Sequence, residues 1–250
     1  MQEIEFKFQV PVKKRKALQK AFTLLKAEPI HLAAQYFDTA DQTLAKHCIA
    51  IRRRQENGEW KQTFKAVNTA KALSRFELEF DIAPPETTTL DLDNYKKDYS
   101  AIYKKLKRAL GLPLPPLELL FETKIQRLRV LQNIGSSTVE IALDIGKIFK
   151  EQNSVDIFEI EFELKQGSIE DLIAFIQPWV QKYQLSLDTH SKSDYGLLAV
   201  RQQSSFSAQY QTPLVLNRSS SEVEALQSIV ANCLQHLLPN ASSIARQQYS

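Results

Sequence analysis

Glu3, Glu5 and Lys7 occupy alternate positions of the opening segment, with Ile4, Phe6 and Phe8 between and after them. In an extended chain successive side chains point to opposite faces, so two carboxylates and an ammonium share one side of a predicted strand, about 7 Å apart. Two acids at that spacing can share a hard cation, and the lysine beside them suits an anionic ligand. A solitary surface strand would use the same pattern as a solvated, self-neutralising face. What separates the two readings is whether other strands repeat it.

Several do. Glu159, Glu161, Glu163 and Lys165 alternate with Phe158, Ile160, Phe162 and Leu164, and Glu77, Glu79 and Asp81 alternate with Phe76, Leu78, Phe80 and Ile82. Glu140 and Asp144 lie among Val139, Ile141 and Leu143 in a predicted strand over 138–149. The opposite sign gathers elsewhere. Arg52 and Arg54 stand before a Gln55-Glu56-Asn57-Gly58 turn, and Lys61, Thr63 and Lys65 follow it, so a hairpin places them side by side. Arg127 and Arg129 share a phase in a strand over 119–131. Arg53 has the opposite phase and is expected outside, and Lys124 is ambiguous in phase. Glu159 is an extra acid in phase with Glu161 and Glu163.

The elements that must position these residues follow from the apolar periodicity. Helical spacing is predicted after Pro11, over Tyr95 to Leu110 with Gly111 as a stop, after Ser168, and over a short segment that opens at Ser191-Lys192-Ser193 and ends near Val200. The amphipathic helices need an apolar surface to cover, and the strands offer one on the face away from their charges. The expected fold is therefore α+β: a closed antiparallel eight-stranded β-barrel with a polar, charged lumen and helices packed outside. An acidic wall facing a basic wall inside such a lumen is costly to leave empty, since like charges in a partly dehydrated channel repel by several kcal/mol. A triphosphate with magnesium or manganese would answer both walls together.

Composition narrows the alternatives. The formal net charge of +3, from 32 basic and 29 acidic residues, gives no bulk attraction to nucleic acid. The tyrosines at 95, 99 and 103 fall on an apolar stripe, which points to core packing and away from base stacking. Cys48 and Cys233 are far apart without ligand-spaced companions, arguing against a disulfide framework or a zinc site and for a reducing, cytoplasmic setting. No apolar run reaches the ~20 residues that span a bilayer, and no signal peptide is expected. His31, His47, His190 and His236 are scattered and read as structural. Residues 201–220 read as a linker. Residues 221–250 read as an amphipathic helix stopped by Pro239, whose apolar stripe must dock on the body, pair with a second copy in a homodimer, or open a further domain.

Taken in order, Glu3-Ile4-Glu5-Phe6-Lys7, Tyr36-Phe37-Asp38-Thr39, Ile51-Arg52-Arg53-Arg54, Thr63-Phe64-Lys65, Arg75-Phe76-Glu77, the segment Val139 to Asp144, Glu161-Phe162-Glu163-Leu164 and Ser191-Lys192-Ser193 resemble the CYTH superfamily of triphosphate tunnel metalloenzymes. The resemblance covers about residues 1–200 and is nearest to bacterial inorganic triphosphatases in which a CYTH domain precedes a helical CHAD domain. Residues 221–250 would then be the start of a truncated CHAD-like domain. The resemblance implies metal-dependent hydrolysis of inorganic triphosphate, with Glu3, Glu5, Asp144, Glu161 and Glu163 holding Mg2+ or Mn2+. It implies that Lys7, Arg52, Arg54, Lys65, Arg127, Arg129 and Lys192 grip phosphate oxygens, and that Glu77 and Glu140 belong to the acidic wall. Adenylyl cyclase, thiamine triphosphatase and a non-catalytic polyphosphate- or nucleotide-binding module are the competing readings. Nucleic acid and membrane partners are not expected.

Overall fold

The structure is a computed structural model that describes residues 2–67, 74–85, 87, 89–90, 92–217 and 219–246, without the side chains at 2, 3, 67, 74, 75, 93 and 94. In chain order the elements are β1 (Gln2–Gln9), α1 (Val12–Leu24), β2 (Glu28–Asp38), α2 (Thr43–Lys46), β3 (Ile49–Glu56), β4 (Glu59–Val67), β5 (Ser74–Ile82), α3 (Asp93–Asp98) and α4 (Ser100–Leu110). Then follow β6 (Glu118–Ile134), β7 (Ser137–Lys150), β8 (Asn153–Gln166), α5 (Ile169–Tyr183), β9 (Ser186–Leu187), α6 (Lys192–Val200) and α7 (Glu222–Ala245).

One antiparallel sheet takes all nine strands, in the order β5-β4-β3-β2-β6-β7-β8-β1-β9. The expected hairpin is present: Asn57 and Gly58 both have positive φ, 50° and 99°, as the twist of a two-residue turn between β3 and β4 demands. The expectation of a closed eight-stranded barrel is corrected in two respects. The sheet has nine strands, because the two-residue β9 adds to β1. Its ends meet only through a short seam, in which Gln2, Glu3 and Ile4 of β1 pair with Phe76, Arg75 and Ser74 of β5. The reason is the length of β1. Its eight residues serve β5 with the first half and β8 with the second, Glu5 to Gln9.

Apolar packing fixes which face the charges occupy. On one side of the sheet, Phe8, Val139, Ile141, Leu143, Ile160 and Phe162 form a core with Leu18 and Phe22 of α1 and Leu172 and Ile176 of α5. Farther along that side, Ile51 and Phe64 pack with Tyr95, Ile102 and Leu106 of α3 and α4, so the tyrosine stripe is core, as its spacing predicts. Burying a side chain of this size is worth roughly 1.5–3 kcal/mol, and these clusters hold the sheet's curvature from outside.

A third cluster lies on the charged side and corrects the placement of all helices outside. Ile30, Leu32, Ala34 and Tyr36 share one phase of β2 and pack with Phe121, Ile125 and Tyr195 and Leu198 of α6. Gly196 allows the approach, since a Cβ there would lie 2.2 Å from the Phe121 ring. Helix α6 therefore covers part of the inner face. Arg53 lies on the outer face, as expected, over the Phe37 ring, but it is 7% exposed there; its guanidinium donates to the Thr87 and Thr89 carbonyls at 3.1 and 2.9 Å. Pro239, expected to stop the last helix, lies inside α7, which runs on to Ala245. The chain before it, residues 206–217, runs beside α7: Gln209 donates its N–H to Asn240 and Gln211 donates to Asn232.

Candidate active site

Register puts the charged residues into rows. Across β1, β8 and β7, Glu5, Glu163 and Glu140 are successive partners; so are Lys7, Glu161 and Ala142; and Gln9, Glu159 and Asp144, with Arg127 of β6 next. Partners on one face have Cβ atoms about 4.5–5.5 Å apart, so carboxylates in adjacent rows converge. Oxygens of Asp144, Glu159 and Glu161 all lie within 4.8 Å of one another, and all three residues are buried.

Three cations hold that cluster. Lys192 Nζ lies 2.7 Å from Asp144, 2.5 Å from Glu159 and 2.8 Å from Glu161. Arg127 donates through Nε and Nη2 to the two Asp144 oxygens, both at 2.7 Å, and reaches Glu161 at 2.5 Å. Lys7 Nζ lies 3.1 Å from Glu159 and 3.6 Å from Asp188, and donates to the His190 carbonyl. Lys192 is the first residue of α6, whose cap is the Ser191 hydroxyl accepting from the Asp194 N–H. A lysine at a helix N-terminus opposes the helix dipole. The three carboxylates offset that cost.

Electrostatics follows the geometry. Burial by itself pushes the Asp144 and Glu161 carboxyls up, but the adjacent Arg127 and Lys192 outweigh it and hold both below the ordinary carboxylate range. Burial pushes the Lys192 ammonium down, and Asp144, Glu159 and Glu161 outweigh that and hold it well above the lysine range. Lys7 is likewise raised, by Glu159 and Asp188 against its burial. Asp144 and Glu161 are thus ionised at neutral pH and present acceptor oxygens. Three buried carboxylates supply hard oxygen donors that could hold a metal ion.

The β3–β4–β5 side is built differently. Lys65 pairs with Glu77 at 2.6 Å and Arg52 with the same carboxylate at 3.8 Å; Arg54 pairs with Glu79 at 3.0 Å and Glu56 at 3.3 Å. Lys61 also reaches Glu79, at 3.4 Å. Tyr36, in register with Arg52, accepts from it at 3.4 Å; burial raises the phenol pKa, yet Arg52 outweighs it and brings it below the tyrosine range. The acidic and basic walls of the sequence reading are therefore mixed at the level of contacts, each cation carrying a carboxylate.

Of the residues singled out from sequence, Lys7, Arg127, Asp144, Glu161 and Lys192 converge in the buried cluster, and Arg52, Arg54, Lys65 and Glu77 share the β3–β5 wall. Glu163 and Glu140 both turn to Lys165, at 2.6 and 3.6 Å, in the row that also contains Glu5. Arg129 pairs with Glu28 at 2.9 Å, with its side chain 35% exposed. The Glu3 side chain lies outside the described residues. Lys124 is exposed, its ammonium over the Phe149 ring. Glu159 is at the centre of the cluster, and its phase with Glu161 is the signal that points to it. Sequence reasoning misses Asp188. It accepts from Tyr195 Oη at 2.9 Å and from the His190 N–H at 3.0 Å beside Lys7, and its segment has no periodicity that would mark it.

The CYTH domain family model matches residues 1–194, the part of the chain that builds the sheet and this site. The chain belongs to the CYTH domain family. A curated relative, an inorganic triphosphatase of Haemophilus influenzae, is 31% identical over 204 residues, which cover 79% of this chain. That match takes in 55% of the relative, so this CYTH chain spans about half its length. Two solved structures share the fold. One, from Bacillus halodurans and provisionally assigned as an adenylate cyclase, has a TM-score of 0.52 at 20% identity, covering 77% of this chain and 96% of its own. The other, from Hippeastrum, provisionally an adenylyl cyclase and described as having a dominant triphosphatase activity, has a TM-score of 0.53 at 17% identity, covering 80% and 95%.

Proposed function

We propose that the chain hydrolyses inorganic triphosphate to diphosphate and phosphate in a reaction that depends on Mg2+ or Mn2+. The observation that carries the reading is the buried trio Asp144, Glu159 and Glu161, facing Lys7, Arg127 and Lys192 on a sheet whose other half presents Arg52, Arg54 and Lys65. The inorganic triphosphatase name of the Haemophilus relative agrees with it.

Asp144, Glu159 and Glu161 would hold the ion, with Glu5 and Glu163 as further carboxylates from the same sheet. When bound, the ion supplies Lewis-acid polarisation of phosphoryl oxygens. The protein's part is an exchange of partners. Each cation of the site sits on a carboxylate; with the carboxylates holding an ion, Lys7, Arg127 and Lys192 would be released to take phosphate oxygens, so no charge would be left alone in a partly buried channel. Arg52, Arg54 and Lys65 take the other end of the chain of phosphates from the β3–β5 wall. Cations already seated on the phosphate oxygens when negative charge builds on the departing diphosphate stabilise a loose phosphoryl-transfer transition state. A carboxylate of the Glu5–Glu163–Glu140 row orients water in line with the terminal phosphorus.

The test is phosphate release from tripolyphosphate with magnesium or manganese, run beside thiamine triphosphate, ATP and long polyphosphate. One orthophosphate and one diphosphate per tripolyphosphate, abolished by chelator, is the expected result. Cyclic AMP from ATP would point to the cyclase reading instead. No phosphate release with either ion would end the proposal.

A further inference from the structure

The segment from the end of β9 into the first turn of α6 carries Asp188, which touches Lys7, and Lys192, which touches Asp144, Glu159 and Glu161. It is held from two sides. From the sheet, the Asp188 N–H donates to the Lys7 carbonyl at 2.8 Å. From beyond the family-matched region, which ends at 194, three residues reach it. Ser242 is the buried residue of α7, wholly enclosed; its hydroxyl accepts the Thr189 N–H at 3.1 Å, and its carbonyl accepts from Gln9 at 2.9 Å. The Arg246 guanidinium lies 4.0 Å from the centre of the Tyr195 ring and donates to the Asp156 carbonyl at 2.8 Å. Phe206 stacks on His190 at 3.8 Å with the rings 2° from parallel.

These contacts contrast with the rest of α7, where Val223, Leu226, Val230 and Leu237 are 48–64% exposed. A helix anchored on the body for its apolar face would bury that face. This one buries a serine against the backbone of the active-site segment. Tyr195 joins the two systems, since its hydroxyl bonds Asp188 while its ring carries Arg246.

We infer that Phe206, Ser242 and Arg246 form a positioning clamp, through which the chain beyond α6 sets the places of Lys7 and Lys192 in the site. Loosening the clamp should let the segment exchange between positions, lowering the fraction of molecules with both ammonium groups in place and weakening substrate binding more than the chemical step. The clamp itself does not depend on the triphosphatase reading; its kinetic consequence does.

The experiment uses the full chain with the pair Ser242→Ala and Arg246→Gln, with Phe206→Ala, and with Arg246→Lys as the conservative variant. Amide hydrogen exchange over residues 186–195 should accelerate at least about threefold in the first two while β7 and β8 stay as in the wild type, and Arg246→Lys should recover most of the protection. The KM for tripolyphosphate should rise about tenfold with kcat within about twofold. Leu226→Ser, on the exposed stripe, should move neither readout. Unchanged exchange at 186–195, or faster exchange spread equally over the sheet, overturns the clamp whatever the kinetics. Faster local exchange with an unchanged KM overturns its positioning role. If the wild type itself turns over no tripolyphosphate, the triphosphatase reading falls and the exchange data alone decide the clamp.

Discussion

The two charged regions of the sheet use the same residue types at different depths. In the β7–β8 cluster the side chains of Asp144, Glu159 and Glu161 are 0, 4 and 11% exposed, whereas on the β3–β5 wall Glu77, Glu79 and Lys65 are 18, 25 and 27% exposed. Depth changes what an ion pair does. Two charges 4 Å apart interact by about 1 kcal/mol in water and about 4 kcal/mol at an effective dielectric of 20. The deep cluster is thus an electrostatic frame whose charges leave one partner only when another takes its place. The open wall is a set of yielding pairs, Arg52 reaching Glu77 at only 3.8 Å, and its arginines can turn to a ligand at little cost. One region suits the place where charge must be preorganised, and the other suits capture and release.

The largest expected effect is in the frame. Glu161→Gln should lower turnover of tripolyphosphate at saturating metal by at least about a hundredfold, the scale seen when a preorganised charge is removed from a transition state. The fold should survive. The cluster formally sets four carboxylates, Asp144, Glu159, Glu161 and Asp188, against three cations, Lys7, Arg127 and Lys192, so neutralising one acid leaves no surplus of like charge. Thermal unfolding run beside the kinetics checks this, and a collapse of stability in place of activity would break the argument. On the wall, Arg54→Ala should act on capture: KM up about tenfold, kcat within about threefold, and a weaker salt dependence of kcat/KM than the wild type. If Arg54→Ala costs more turnover than Glu161→Gln, the division between frame and capture surface is wrong.

How much of this was legible follows from what each signal encodes. Alternation encodes the face of a strand, and so the pattern of residues alone singles out Glu5, Lys7, Arg52, Arg54, Lys65, Asp144 and Glu161. It does not encode which strand lies opposite. Glu159 is central only because register sets it beside Asp144 and Gln9, and the short β1–β5 seam is a matter of length that no local pattern shows. The placement of helix α6 fails for another reason. An inner face assumed to be charged throughout leaves no room for an apolar helix, yet Ile30, Leu32, Ala34 and Tyr36 already share a phase on β2. Asp188 stands in a connecting segment, and its role comes from Lys7, 181 positions earlier in the chain, through a 3.6 Å contact that periodicity cannot report.

Arg129 gives the smallest expected effect and the sharpest limit on reading phase as function. It shares its face of β6 with Arg127, and its register partner is Ala142, which in turn faces Glu161. Phase alone would give it the same duty as Arg127. The contacts differ: Arg127 is fixed by Asp144 and Glu161, while Arg129 bonds Glu28, itself 60% exposed, at the start of β2. An exposed pair of this kind contributes about 0–1 kcal/mol and is screened by salt. Arg129→Ala should therefore change kcat/KM by less than about threefold and leave unfolding almost unmoved, whereas Arg127→Ala strips the only guanidinium bonded to Asp144 among the described contacts and should cost both. If Arg129→Ala instead raised the KM for tripolyphosphate as far as Arg54→Ala does, the capture surface would have to extend around β6, and depth would cease to be what separates the two regions.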